Sequence, residues 1–230
     1  MRPKPLLALA SIFSIMLTLL FLGSFFFAYT EQTVYSASTE YVFSIEYHDD
    51  DTTYSSFISM WTDLNSWENQ SNQKTLYYHY HADSTTIGIW PITAHETTGI
   101  IETSAKIWLH PPRSGHLEIL EYFPFPEIKK ATNKKRFYRY FIGNCDFLNK
   151  WVWLKYRMVL SDAMEKIYWG QKNIPVKTLQ GKARTKEGEW SVLYYYNEQM
   201  GFVYWHYNYC DKIIIKLKLE KIIPHDLNSF

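Results

Sequence analysis

Trp190 to Tyr196 (WSVLYYY), Phe202 to Tyr209 (FVYWHYNY) and Ile213 to Glu220 (IIIKLKLE) are the stretches on which the fold turns. In the last of them Ile213, Ile215, Leu217 and Leu219 alternate with Ile214, Lys216, Lys218 and Glu220. That is a period of two, with one apolar and one mostly charged face, so the strand has a dry side and a wet side. Val203, Trp205, Tyr207 and Tyr209 alternate likewise with Phe202, Tyr204, His206 and Asn208. Trp190, Val192, Tyr194 and Tyr196 do so with Ser191, Leu193 and Tyr195. The breaks hold turn residues: Glu187-Gly188, Asn197 to Gly201, and Asn208 to Asp211. Links this short join antiparallel neighbours, because a parallel pair needs a long crossover. Residues 174 to 222 are therefore predicted to form a four-stranded antiparallel meander.

Upstream the pattern is less regular but similar. Tyr41 to His48 reads as a strand. Leu76 to His81 and Thr85 to Trp90 flank Ala82-Asp83-Ser84 as a hairpin, and Ala105 to His110 and His116 to Tyr122 flank Pro111 to Gly115 as another. Trp151 to Leu160 is a strand candidate, whereas Ser161 to Trp169 leans helical. One amphipathic helix is expected over residues 52 to 66. Asp51 or Thr52 would cap it, and Tyr54, Phe57, Ile58, Trp61 and Leu64 recur at spacings of three and four. Phe123-Pro-Phe-Pro126 cannot continue a central strand, since proline lacks the donor, and reads as an extended aromatic loop. The expected fold is mainly β: a curved antiparallel sheet, half-barrel or sandwich-like, with the helix packed on one face.

Residues 1–30 stand apart from the rest. Arg2 and Lys4 precede 23 uncharged residues, Leu6 to Ala28, rich in Leu, Ile and Phe. As a helix that run spans roughly 34 Å, enough for the hydrocarbon core of a bilayer. A cleavable signal has a shorter apolar core closed by small residues, and bulky Phe26 stands where a small one is needed. An uncleaved transmembrane anchor is expected, with a removed leader and a secreted product as the alternative. Arg2 and Lys4 stay on the cytoplasmic side, which places residues 31–230, one domain, in the periplasm or outside the cell. The membrane, through residues 6–28, is the first expected partner.

Removing Arg2 and Lys4 from the 24 basic residues leaves 22 against 23 acids, so the domain is nearly neutral. A nucleic-acid partner needs a concentrated basic face, and none is expected. Lys129, Lys130, Lys134, Lys135, Arg136 and Arg139 do cluster, either as a solvated loop or as a contact for anionic lipid head groups. Cys145 and Cys210 are the only cysteines. They can pair in an oxidising compartment, or stand as two separate buried thiols.

No stretch carries a complete catalytic signature. His79-Tyr-His81 places two imidazoles on one strand face, with His48 and Asp49 to Asp51 as further ligands, but a wet polar face explains them equally, and no metal is expected. His110, Arg113, Ser114 and His116 share a tight loop. A serine nucleophile needs its base within about 3 Å and a third group orienting that base. Turn chemistry accounts for the same residues, and a hydrolase is the weakest alternative. Glu118, Glu121, Glu127 and Asp146 show no spacing that sets up a carboxylate pair. Asn69-Gln-Ser71 matches a glycosylation acceptor, and no cofactor motif appears.

The surplus is aromatic, with 19 Tyr and 9 Trp. Rings on this scale either build the core and cross-strand ladders or line a concave sheet that holds an apolar or amphiphilic ligand. For the second role the candidates are Trp90, Trp108, Tyr122, Phe123, Phe125 and Trp205, with Arg113 as an anion contact. The stretches Ala105-Lys-Ile-Trp-Leu-His-Pro-Pro-Arg113, Glu121-Tyr-Phe-Pro-Phe-Pro-Glu127 and Gly201-Phe-Val203 resemble a pattern of uncharacterised exported bacterial β-rich proteins. In shape, an anchor with a curved sheet is similar to the half-barrels of periplasmic lipoprotein and lipid carriers. Neither resemblance transfers an activity. The expected function is non-enzymatic binding of an apolar or amphiphilic ligand at the envelope. A protein-interaction module, docking through Phe123 to Pro126, is the alternative.

Overall fold

A computed structural model describes residues 33–225, apart from 51, 69, 82–94 and 130–135 and the side chains of 147, 162 and 163. Residues Thr33–Phe230 form a compact unit of their own. The described residues form twelve strands: β1 (Thr39–Asp49), β2 (Thr52–Trp67), β3 (Gln70–His81), β4 (His95–Glu102), β5 (Lys106–Leu109), β6 (Glu127–Lys129), β7 (Arg136–Cys145), β8 (Lys150–Trp169), β9 (Lys172–Arg184), β10 (Glu189–Asn197), β11 (Gly201–Tyr209) and β12 (Ile213–Pro224). They form one antiparallel sheet in the order β6-β5-β4-β3-β2-β1-β12-β11-β10-β9-β8-β7.

The predicted meander is β9 to β12, and the periods of two hold. Trp190, Val192 and Tyr194 face inward on β10, Trp205, Tyr207 and Tyr209 on β11, and Ile213, Ile215, Leu217 and Leu219 on β12. The first strand joins the last: β1 pairs with β12, Ile45 opposite Leu217. The two halves of the chain thus meet at the centre of the sheet, and β6 and β7 become its edges.

Those edges meet across the inside. Laid flat, twelve strands at about 4.8 Å apart would hold β6 and β7 roughly 50 Å from each other. Yet the Arg139 guanidinium of β7 donates to the Glu127 carboxylate of β6. The sheet therefore curls almost through a full turn and stays open, its edges joined by side chains instead of a ladder.

The chain between β5 and β6 fills the curl. After Pro111-Pro112 it forms a 3₁₀ helix, Gly115–Tyr122, and then the extended Phe123 to Pro126. Leu117, Ile119, Leu120, Tyr122 and Phe123 are all buried in the core. A segment without a ladder has carbonyls to satisfy, and buried carbonyls need donors. Tyrosines of the sheet supply them. Tyr78 Oη donates to His110 O at 2.6 Å, Tyr156 Oη to Tyr122 O at 3.3 Å, and Tyr194 Oη to Pro124 O. The tyrosine surplus is thus chiefly internal: a ring to fill a wide interior, with a hydroxyl to hold the plug.

Three expected elements differ. Residues 52 to 66 are strand β2, not a helix: they pair with β1 on one side and β3 on the other, Ile58 opposite Phe43 and Tyr80. Thr52, Thr53, Ser55, Ser56, Ser59 and Thr62 are poor helix residues. The spacing of three and four reflects a strand buried on both faces from Ile58 to Thr62, which has no simple period. Ser161 to Trp169 continues β8 in a long hairpin with β9 closed at Gly170, whose φ of 57° suits glycine. His116 to Tyr122 is the 3₁₀ plug and not a hairpin arm. The hairpin arm Thr85 to Trp90 lies outside the described residues, as does the apolar run of residues 6–28. Among the described residues no helix is long and apolar enough to cross a membrane.

Candidate functional site

The seam between β6 and β7 holds two cavities that share Arg139. The larger, about 610 Å³, is lined by Phe137, Leu160 and Leu179 on its apolar side, with Tyr138 beside them. Among the described residues Lys129, Arg136, Arg139 and Arg157 supply its charge, and Glu127 is the single acid. Glu127 is 9% exposed and already engaged by Arg139, with Lys129 Nζ 3.9 Å away. One acid against four cations leaves the cavity electropositive. Burial lowers the pKa of Arg139, which nonetheless remains a cation at any ordinary pH.

Strand alternation turns Phe137, Arg139 and Phe141 of β7 into the curl and Tyr138, Tyr140 and Ile142 out of it, so Arg136, Tyr138 and Arg157 border the larger cavity from exposed positions. Leu160 of β8 pairs with Leu179 of β9, so the two leucines stand side by side on the inner face.

The smaller cavity, about 230 Å³, is lined by Trp108, Tyr122, Phe123, Phe125, Tyr140, Phe141 and Tyr156, together with Glu121, Pro124 and Arg139. Four of the six rings expected to contact a ligand, Trp108, Tyr122, Phe123 and Phe125, are brought together here. Trp205 is instead fully buried against Phe43 and Phe202, and Trp90 lies outside the described residues. Phe123 packs on Tyr156, Trp190 and Tyr207 and is 4% exposed, so the Phe123 to Pro126 loop presents only the half-buried Phe125. Burial pushes the Tyr122 hydroxyl up to about 12, while its oxygen accepts the Asp146 amide at 3.0 Å. Sequence reasoning missed Phe137, Leu160, Leu179, Arg136, Arg139 and Arg157 as one group. The basic cluster containing Arg136 and Arg139 was its only signal.

The loop His110 to His116 does not assemble a nucleophile. Ser114 Oγ donates to Glu96 Oε2 at 2.9 Å, and the same carboxylate accepts the Arg113 and Ser114 amides and the Tyr80 hydroxyl. His110 packs between Trp108 and Phe125, whereas His116 lies edge-on to Tyr47. Burial, and secondarily Arg113, lowers His110 to about 4. Glu96 fixes the turn ahead of the plug, which is a structural task. His79, His81 and His95 lie ring against ring, but His81 Nε2 is bonded to Ser59 Oγ at 2.7 Å. Among the described residues no group of three His, Cys, Asp or Glu can hold a metal ion. Glu118 is exposed, and Glu127 serves Arg139. Cys145 and Cys210 are both free thiols, and burial raises the pKa of each. Cys210 sits in a left-handed turn, φ 52°, with its sulfur packed against Gly188.

No family model and no curated protein matches the chain. Two solved structures are similar to it, each at 10% identity over 82% of this chain and 96% of the other. One is a Bacteroides fragilis protein provisionally described as exported and of YmcC-like fold, TM-score 0.41; the other is a Parabacteroides distasonis protein provisionally described as a lipoprotein, TM-score 0.37.

Proposed function

We propose that this protein is a non-enzymatic binding protein of the cell envelope, which takes an anionic amphiphile into the seam between β6 and β7. The cavity lined by Phe137, Leu160, Leu179, Lys129, Arg136, Arg139 and Arg157 carries the reading. An apolar wall beside a cationic one fits a molecule with a hydrocarbon tail and an acidic head. Its volume, about 610 Å³, is in the range of small-molecule sites. Burying the tail against three apolar side chains supplies affinity, and the cations select the head. The rings of Trp108 and Phe125 in the adjoining cavity extend the apolar surface. Location follows from the leader: Arg2 and Lys4 before an apolar run hold that end in the cytoplasm and deliver the domain outside.

The test uses cis-parinaric acid, a fluorescent fatty acid, titrated into the purified protein. Saturable binding in the micromolar range is expected, weakened about tenfold by Arg157→Glu and by Leu179→Asp. The methyl ester of the same acid, which lacks the charge, is expected to bind more weakly. Absence of saturable binding, or equal affinity for acid, ester and variants, rejects the site. Native mass spectrometry of protein extracted gently from the producing cell then identifies the natural ligand as an added mass that passes into organic solvent.

A further inference from the structure

On the outer face of β7 Tyr138, Tyr140 and Ile142 are 51, 54 and 59% exposed, the two tyrosines also bordering the seam cavities. Across the ladder Trp151 and Trp153 of β8 are 70 and 68% exposed. The register sets Ile142 opposite Trp153 and Tyr140 opposite Lys155, so these five large side chains share one face of two adjacent strands. Beneath them Val152, Leu154, Tyr156 and Met158 point into the core, so the outward rings are not needed to fill it. A contiguous exposed apolar patch of this kind marks a contact surface.

Its charge is basic: Arg136–Cys145 and Lys150–Leu160 contain no acid, and Arg136, Lys155 and Arg157 stand at outward positions, while Arg139 points inward to Glu127 and Lys150 is paired with Glu187. Lys155 Nζ lies 4.4 Å from the Tyr138 ring centre and 5.8 Å from that of Tyr140, which holds a cation among the rings. Arg157 stands opposite Tyr138 at the end of the same face.

From this geometry we propose that the outer face of β7 and β8 docks on an anionic lipid bilayer. Trp and Tyr, apolar in body and polar at the tip, partition to the level of lipid head groups. Basic side chains beside them complement the negative surface of such a membrane. The face is an exposed ladder instead of a groove, which suits a flat partner. A second copy of the chain fits less well, because a symmetric contact would oppose Lys155 and Arg157 to themselves. The inference does not require the seam cavity to be occupied.

The experiment is co-sedimentation of residues 33–230, which form a compact unit with its own core, with vesicles. Phosphatidylcholine vesicles are compared with vesicles containing about one-third phosphatidylglycerol. Binding to the anionic vesicles is expected to exceed that to the neutral ones by roughly tenfold and to fall in high salt. Trp151→Ala/Trp153→Ala should weaken it about tenfold, and Lys155→Glu severalfold, while cis-parinaric acid binding is unchanged in both. These residues are exposed and line neither seam cavity, so folding survives; an unchanged circular dichroism spectrum checks it. Equal sedimentation with both vesicle types, full binding by the tryptophan variant, or self-association that depends on Trp151 and Trp153 without vesicle binding would each overturn the proposal.

Discussion

Tyr35 is a single residue on which three parts of the chain depend. Its hydroxyl oxygen accepts the buried Phe202 amide at 2.8 Å, its carbonyl accepts Thr62 Oγ1, and its own amide donates to Glu102. Tyr35→Phe leaves the Phe202 N–H without its acceptor and is expected to cost about 1–3 kcal/mol in urea unfolding. Gly201 lies directly above: φ is 78°, and an added Cβ would sit 2.2 Å from Tyr35 Oη. Gly201→Ala should therefore destabilise by a similar amount. His110 sets a pH response. Its folded pKa, about 4, lies below the ordinary value of 6.5, so the folded state disfavours its proton. Above about pH 6.5 the ring is neutral folded and unfolded and contributes nothing to pH dependence. As pH falls towards 4 only the unfolded state takes up the proton, and stability is lost. After discounting for partial exposure the loss is about 1–2 kcal/mol. Denaturation at pH 7 and pH 4.5 should show a smaller drop for His110→Gln than for the wild type.

At the scale of elements the 3₁₀ plug has no partner strand, and hydrophobic burial together with tyrosine hydroxyls holds it. Leu120 is fully buried within it. Leu120→Ala opens a cavity inside the curl and is expected to cost about 2–5 kcal/mol, read as a fall in urea midpoint at constant slope. Glu96→Gln offers one acceptor oxygen where the carboxylate took four donors, and should loosen the turn at Arg113 and Ser114 by about 1–3 kcal/mol. The plug was hard to read in advance for a physical reason. Leu117, Ile119, Leu120 and Tyr122 are buried on several sides at once, so they show neither the period of a strand nor that of a surface helix. β2 misled for the same reason, being covered on both faces.

For the whole molecule the closing contact is Arg139 with Glu127 across the open edge. Arg139→Met leaves Glu127, 9% exposed, without its main counter-charge. Because the arginine is 37% exposed the cost is about 1–2 kcal/mol, below that of a fully buried pair. The loss should be local as well as global. Amide exchange is expected to rise first in β6 and β7, the edges, while β1, β12 and β11 at the centre keep their protection. A uniform rise across the sheet would mean that the pair does not close the curl.

Local alternation in the sequence determined the meander, the strand at Tyr41 to His48, the inward rings of β10 and β11, and the mainly β class. A half-buried strand must alternate whatever its neighbours, so residues two apart carry that information by themselves. Only the tertiary structure decided what the rings are for. Trp205 and Tyr207 point inward by their period, but whether the interior is an empty bowl or a filled one depends on the plug between β5 and β6. The seam cavity was out of reach for the same reason: Lys129, Arg139, Leu160 and Leu179 lie on four strands, and they meet only because the sheet curls until its edges touch. Curl accumulates from twist over twelve strands, a property of the assembled sheet that no single segment encodes.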